Sequence, residues 1–260
     1  MTNRSFFHRN SGIDWYVEQR GSGPHVVLIP SGEGDCAAFE KVAANLATDF
    51  TVTTFDTPGF SRTKADDGIE TVIPTLGDQV AALIQSLGIA SATFYGCSSG
   101  GVAALDIASR HGGLVHRAIV HEAALDDPNR ATSPLQALLS MDDETASATC
   151  AQLFANVFNE DPAAWEALGG DYHARLAKNY VTWVRNYLAK RQRKPFAPSE
   201  LAGRPITWTI GALFEVAVCF SNVRLAHRAG IAIDILPCKH FPHVTIPDVL
   251  AQHIRANAKN

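Results

Sequence analysis

The sequence predicts an α/β protein: a mostly parallel sheet with helices on both faces and a block of helices inserted between two strands. Three observations carry that prediction. β-Branched and apolar runs alternate with segments of helical spacing along most of the chain. The run His25–Pro30 (HVVLIP) is continuously apolar, as in a strand buried on both faces. From about Asp126 to Ser199 no strand pattern interrupts a series of helical segments, and that stretch is too long for one crossover.

The elements follow in order. Ile13–Arg20 (IDWYVEQR) alternates as a half-buried strand does, and Gly21-Ser22-Gly23-Pro24 turns the chain after it. HVVLIP is the next strand, a helix covers Ala37–Ala47, and Thr51–Asp56 (TVTTFD) is a β-branched strand closed by Thr57-Pro58-Gly59. Leu76, Val80, Leu83, Ile84 and Leu87 share one face of a helix. Ala92–Tyr95 is a strand and Gly100–Arg110 a helix. His116–His121, Ile206–Ile210 and Ile231–Leu236 supply further strands, and Pro247–Ala258 a closing helix. In the strandless stretch, Pro134–Ser140, Thr145–Phe158, Ala163–Leu168 and Tyr172–Ala189 read as helices, ended by Arg191-Gln192-Arg193-Lys194 and Pro195/Pro198. The expected division is a core of residues 1–125 and 200–260 with a helical cap at 126–199.

Composition excludes several functions. The chain has 260 residues, 46% apolar and 18% charged, with a net charge of -4 and no basic run long enough to hold a nucleic acid or an anionic membrane. No apolar stretch of about 18 residues is present to span a bilayer. The N-terminus MTNRSFFHRN lacks the apolar centre of a secretory signal. The five cysteines (Cys36, Cys97, Cys150, Cys219, Cys238) are odd in number, spread out and without a CxxC pair, so neither a metal site nor a disulfide framework is expected. A reducing cytoplasm is the simplest compartment for them.

One motif carries chemistry. Gly96-Cys97-Ser98-Ser99-Gly100 follows a strand and opens a helix. In that context a G-x-S-x-G turn holds its serine out as a nucleophile. A serine hydroxyl needs a base, and the base needs an orienting acid, in the chain order Ser, acid, His. His240, after the last strand, is the expected base, with His243 its rival. Glu122 and Glu215 both follow strands, and order along the chain permits either as the acid. Asp234 lies mid-strand and reads as structural. The oxyanion donors are expected at the Ser99 amide and in the loop Ser31-Gly32-Glu33-Gly34.

Together these segments resemble the α/β-hydrolase superfamily, which implies an eight-stranded, mostly parallel sheet. Thr57-Pro58-Gly59-Phe60-Ser61 looks like its turn after the fourth strand, and HFPHVTIPD like its histidine segment. GCSSG, His121-Glu122, HARLAKNYVTWVRNY (His173–Tyr187) and GRPITWTIGA are similar to the fungal zearalenone hydrolases, the resorcylic acid lactonases, over nearly the whole chain. The resemblance implies a cofactor-free lactonase that needs no metal and acts on a small-molecule lactone. It implies Ser98, Glu122 and His240 as a triad, which chooses Glu122 over Glu215, and Gly32 and Ser99 as oxyanion donors. It also implies substrate contacts at Trp183 and Tyr187, and at Val157 and Phe158; Ser31, Phe220 and Phe241 complete the expected pocket. A second copy of the chain, in a homodimer, is a possible partner.

This sequence departs from the family at Ser31, where an aspartate is usual, at Lys239, where an apolar residue is expected, and along Ala212–Phe220. The same triad would also serve a general carboxylesterase or a C–C bond hydrolase. A hydrolase-like ligand receptor with little turnover is the reading from another class.

Overall fold

The computed structural model describes residues 2–125, 134–190 and 195–259. Nine strands form one sheet: β1 (Thr2–Asn10), β2 (Ile13–Gly21), β3 (His25–Ile29), β4 (Thr51–Phe55), β5 (Lys64–Ala65), β6 (Ala92–Cys97), β7 (Val115–His121), β8 (Ile206–Gly211) and β9 (Ile233–Leu236). Eight of them lie in the order β1-β2-β4-β3-β6-β7-β8-β9, and the two-residue β5 pairs off β2. The expected eight-stranded sheet thus gains one short strand. All pairs from β4 to β9 are parallel, while β1 and β2 join antiparallel at one edge. The fold is that of an α/β protein with a mostly parallel sheet. β1, like the two-residue β5, is a strand the sequence does not announce: it lies at the edge, pairs with β2 from Thr2↔Gly21 to Asn10↔Ile13 and packs Phe6 against the core.

Alternate strand residues feed two cores. Val27, Ile29, Phe94 and Trp208 face α2 (Ile73–Ser86), α3 (Ser99–Arg110) and α8 (Val216–Ala229). Val26, Leu28, Tyr95 and Ile119 face α1 (Glu40–Leu46) and α10 (Pro247–Ala258) on the other side. Each fully buried aliphatic side chain contributes about 1.5–3 kcal/mol relative to exposure, so this two-sided burial fixes which way every strand end points.

Between β7 and β8 the described residues are helical. Pro134–Ser140 is a 3-10 turn, followed by α4 (Asp143–Gln152), α5 (Pro162–Glu166), α6 (Gly170–Thr182) and the short α7 (Pro198–Leu201). The expected boundary at Asp126 and the basic run Arg191–Lys194 lie outside the described residues. α4 and α6 each run on into a wide π turn, Leu153–Val157 and Trp183–Leu188. The wide turns are closed by N–H donation from Phe158 to the Leu153 carbonyl and from Ala189 to the Val184 carbonyl.

α6 is fastened to the sheet by side chains. Arg175 Nε donates to Asp35 Oδ2 at 2.6 Å, and Ser61 Oγ donates to the same oxygen at 2.6 Å. Asn179 Nδ2 donates to the Glu33 carbonyl and to Ser61 Oγ, both at 2.7 Å. Burial works against the charge of Asp35; Arg175, Ser61 and the Ala37 N–H outweigh it and hold its pKa below the ordinary carboxylate value.

Candidate active site

The strand order turns around at β3. The chain leaves β3 toward β4 on one side and reaches β6 on the other. Loops from the carboxyl ends of β3 and β6 therefore diverge and leave a crevice, the usual place for a ligand in such a sheet. The loop after β3 carries Ser31, Gly32 and Glu33, and the turn after β6 carries Ser98.

Ser98 has φ 54 and ψ −117, a region that side-chain-bearing residues avoid. Such strain costs on the order of 1–3 kcal/mol and persists only where neighbours over-determine it. Here they do: Ser98 N–H donates to the His121 carbonyl, and the Ser98 carbonyl accepts from both Val102 and Ala124, each at 3.0 Å. Gly96 makes the turn feasible, because a Cβ there would lie 2.0 Å from the Gly100 carbonyl oxygen. Ser98 is the N-cap of α3 and Ser99 its first residue, so the Ser99 amide sits at the positive end of the helix dipole.

Glu122, just past β7, is also left-handed at φ 41, and its N–H donates to the Thr209 carbonyl. The residue is 4% exposed. Oε1 accepts from the Gly211 N–H at 2.7 Å and from the Cys219 thiol at 3.3 Å. Oε2 lies 2.5 Å from His240 Nδ1. Burial alone would raise the Glu122 pKa; the His240 hydrogen bond and charge more than offset it and bring it down to about 2. With Nδ1 engaged by a carboxylate, His240 carries its proton there, and Nε2 is left as the lone-pair nitrogen.

His240 is tied at its backbone as well. Its N–H donates to the Phe158 carbonyl at 3.0 Å, and its carbonyl accepts the Cys97 thiol at 3.1 Å, next to Ser98. Its ring stacks on Phe214 at 5.5 Å and 26° and meets Phe158 at 5.1 Å. Burial drives the neighbouring His121 imidazole down to about pH 4, a drop partly offset by Glu122. His121 is therefore a neutral support that bonds Thr209 Oγ1 at 2.9 Å.

The structure brings Glu122 and His240 together and sets Ser98 beside them through Cys97 and His121. Among the described residues the Ser98 hydroxyl forms no hydrogen bond, a link that commonly tightens only with substrate in place. Glu215 is exposed, at the N-cap of α8. His243 is buried against Glu33 instead of facing Ser98. Gly32 lies under the indole of Trp183: a Cβ there would be 2.5 Å from Trp183 Nε1. Ser31 is buried, and its N–H donates to Glu33 Oε1.

The expected pocket residues separate into three depths. Trp183 and Phe158 are half-buried beside Gly32 and His240. Tyr187 and Phe241 lie deeper, at 2% and 1% exposure, because Tyr187 is enclosed edge-on by Phe60 and Phe241 stacks on Trp165. Val157 and Phe220 are at the surface, 49% and 55% exposed. Lys239 turns its ammonium away, to the carbonyls of Asn156 at 3.2 Å and Asn159 at 3.3 Å.

Sequence reasoning passes over Phe214 and Cys219, both within or just inside the divergent Ala212–Phe220 stretch. An aromatic residue soon after a parallel strand end was the available signal for Phe214. Among the described residues no group of three or more His, Cys, Asp and Glu side chains is gathered as for a metal ion.

A strained serine turn, a buried acid and an imidazole at the strand ends define a class, and the comparisons agree with it. A family model described as the alpha/beta hydrolase fold matches residues 24–200, and the chain belongs to that superfamily. A zearalenone hydrolase from Bionectria ochroleuca is 37% identical over 262 residues, covering 98% of this chain and 97% of its own. A zearalenone hydrolase from Cladophialophora bantiana is 37% identical over 257 residues, covering 96% and 95%. Within the superfamily the chain belongs to the same family as these two enzymes.

Among solved structures, a membrane phospholipase A described as a bacterial virulence factor superposes with a TM-score of 0.80 at 20% identity, over 99% of this chain and 86% of that one. The enol-lactonase from Burkholderia xenovorans LB400 superposes with a TM-score of 0.74 at 18% identity, over 98% and 100%. At such identities the likeness is one of fold.

Proposed function

We propose that this hydrolase opens the ester ring of a macrocyclic lactone, zearalenone or a related resorcylic acid lactone, through an acyl-enzyme on Ser98. The observation that carries the mechanism is the 2.5 Å contact between Glu122 Oε2 and His240 Nδ1, in a residue whose carbonyl meets Cys97 beside the strained serine. The substrate class is supported by the two relatives named zearalenone hydrolases.

Ser98 Oγ attacks the lactone carbonyl as His240 Nε2 takes its proton. Glu122 holds the ring in one tautomer and stabilises the imidazolium. The N–H groups of Gly32 and Ser99 hold the oxyanion, each worth about 10²–10³ in rate. The C–O bond of the ring breaks, and His240 protonates the departing alcohol, which stays attached as the far end of the opened chain. Water, deprotonated by His240, attacks the acyl-enzyme and releases the acid with Ser98 restored. No cofactor enters these steps.

Within the expected cap of residues 126–199, the described helices from Pro134 to Leu188 act as the cover. Trp183 offers an aromatic face above the oxyanion loop, and Phe158 and Phe214 form an apolar wall around His240. This arrangement suits a substrate that is part aromatic ring and part hydrocarbon loop.

The test is incubation of the purified protein with zearalenone, followed by chromatography with mass detection, beside Ser98→Ala. The expected result is a ring-opened product, heavier by one water, from the parent chain and none from the variant. Turnover by a folded Ser98→Ala protein would overturn the mechanism. Turnover of a small aryl ester without any on zearalenone would overturn the substrate and leave the mechanism standing.

A further inference from the structure

Behind the Gly32 loop stands a second carboxylate–imidazole pair. Glu33 and His243 are each 1% exposed, and His243 Nε2 lies 3.5 Å from Glu33 Oε1. The same oxygen accepts the Ser31 N–H at 3.3 Å. That bond closes a ring of atoms across Gly32, with Ser31 on one side and Glu33 on the other. The Gly34 N–H donates to the Ser31 carbonyl at 3.1 Å and tightens the same turn. On its far side, His243 belongs to α9 (Pro242–Thr245), three residues after His240, and its ring is held between Phe39 at 4.8 Å and Phe241 at 5.4 Å.

Packing does not account for this pair. Glu33 Oε2 and His243 Nδ1 are both buried with no hydrogen-bond partner. A buried carboxylate so incompletely satisfied is a net cost, and two apolar side chains of the same volume would be as stable or more so. What the polar contact offers in exchange is direction: it joins one particular loop to one particular helix with a fixed geometry.

We propose that Glu33 and His243 are positioning residues, whose contact locks the loop bearing the Gly32 amide to the segment bearing His240. Neither touches the reacting atoms. Glu33 acts by holding Ser31 and thereby the direction of the Gly32 N–H; His243 acts by holding Glu33 and keeping the oxyanion donor at one separation from the base. The proposal rests on the roles given above to Ser98, Gly32 and His240.

The test uses Glu33→Met, which keeps side-chain length and removes both contacts. In a folded variant kcat on p-nitrophenyl acetate falls about 10–100-fold while KM stays within about threefold. A trifluoromethyl ketone, which presents a tetrahedral oxyanion to the loop, loses affinity by about the same factor as kcat. Glu33→Gln, which keeps an oxygen acceptor for the Ser31 N–H and a polar group facing His243 Nε2, restores kcat to within about threefold of the parent.

A folded Glu33→Met that keeps kcat within about twofold overturns the proposal, as does a loss that Glu33→Gln does not repair. Should Glu33→Met fail to melt cooperatively, His243→Phe, which keeps a ring between Phe39 and Phe241, carries the same readouts. The underlying reading fails separately: it falls if Ser98→Ala still turns over. An inactive Ser98→Ala beside an unaffected Glu33→Met removes the positioning role alone.

Discussion

At the strand ends, Ser98 and Glu122 sit in backbone conformations that side chains avoid, each pinned by hydrogen bonds from neighbouring strands. Among the described residues, the helices between β7 and β8 contain no non-glycine residue with positive φ and are fastened to the sheet by side chains instead. The difference separates two kinds of precision. Backbone pinned by a sheet on both sides cannot shift without breaking several strands' bonds, so it suits the reacting groups. Side-chain clasps such as Asp35–Arg175 and Lys239–Asn156 can be exchanged one at a time, so they suit the surface that chooses a substrate.

Substitutions on each side can break or sharpen that contrast. The largest effect is expected from Glu122→Gln. It leaves the backbone in place and removes the charge that orients His240, so kcat on an aryl ester falls about 10⁴-fold, roughly 5.5 kcal/mol of barrier. A fall of less than tenfold in steady-state assays would mean that strand-end geometry is not what sets the rate.

Next is Gly96→Ala. Its Cβ would meet the Gly100 carbonyl oxygen at 2.0 Å, and neither backbone can yield. Stability measured by urea unfolding drops by about 4 kcal/mol or more.

On the helical side, Asp35→Ala leaves Arg175 and Arg62 without their shared buried anion. The expected loss is about 3 kcal/mol in the same urea assay. A loss as large as that of Gly96→Ala would erase the distinction between the two regions.

Acid should loosen the strand ends in two stages. Burial lowers His121 to about 4, below its ordinary value of 6.5, and the folded state then binds fewer protons than the unfolded chain between those values. Stability therefore falls as pH drops from about 6.5 to 4. Glu122, brought down from 4.5 to about 2 against its burial by His240, adds a second loss as pH drops through that lower window. Each stage is of order 3 kcal/mol. Melting temperatures across this range, with His121→Asn as the control that flattens the upper stage, check the assignment.

The smallest effect is Lys239→Met, which removes two half-exposed hydrogen bonds to the Asn156 and Asn159 carbonyls. It should cost about 1 kcal/mol and raise KM without changing kcat.

Much of the sheet side was legible because its signals are local. Continuous β-branched runs marked β3 and β4, and Gly96 with Ser98 marked the elbow. β1 was not legible, since an edge strand that pairs with β2 and packs little more than Phe6 on the core shows no sustained apolar pattern. α8 escaped because its sequence, read as part of a divergent stretch, offered no family pattern to follow. The choice between Glu122 and Glu215 could not come from chain order, because both follow parallel strands and only the register of β7 against β8 turns one of them toward His240. Nor could spacing reveal that Lys239, standing where an apolar residue was expected, reaches for the end of a wide turn in the helical segment, or that Glu33 meets His243. Such contacts join residues far apart along the chain, and their partners are chosen by packing.

The wide turn at Trp183–Leu188 holds one residue more than an α-helix would need there. A single-residue deletion after Trp183 would let the turn close to ordinary winding while the residues beyond it kept their facing. Tyr187 would stay against Phe60, and Arg175 and Asn179, upstream, would keep their grip on Asp35, Glu33 and Ser61. Over evolutionary time such a helix can gain or lose one residue of length while its clasps and its buried face stay where they are.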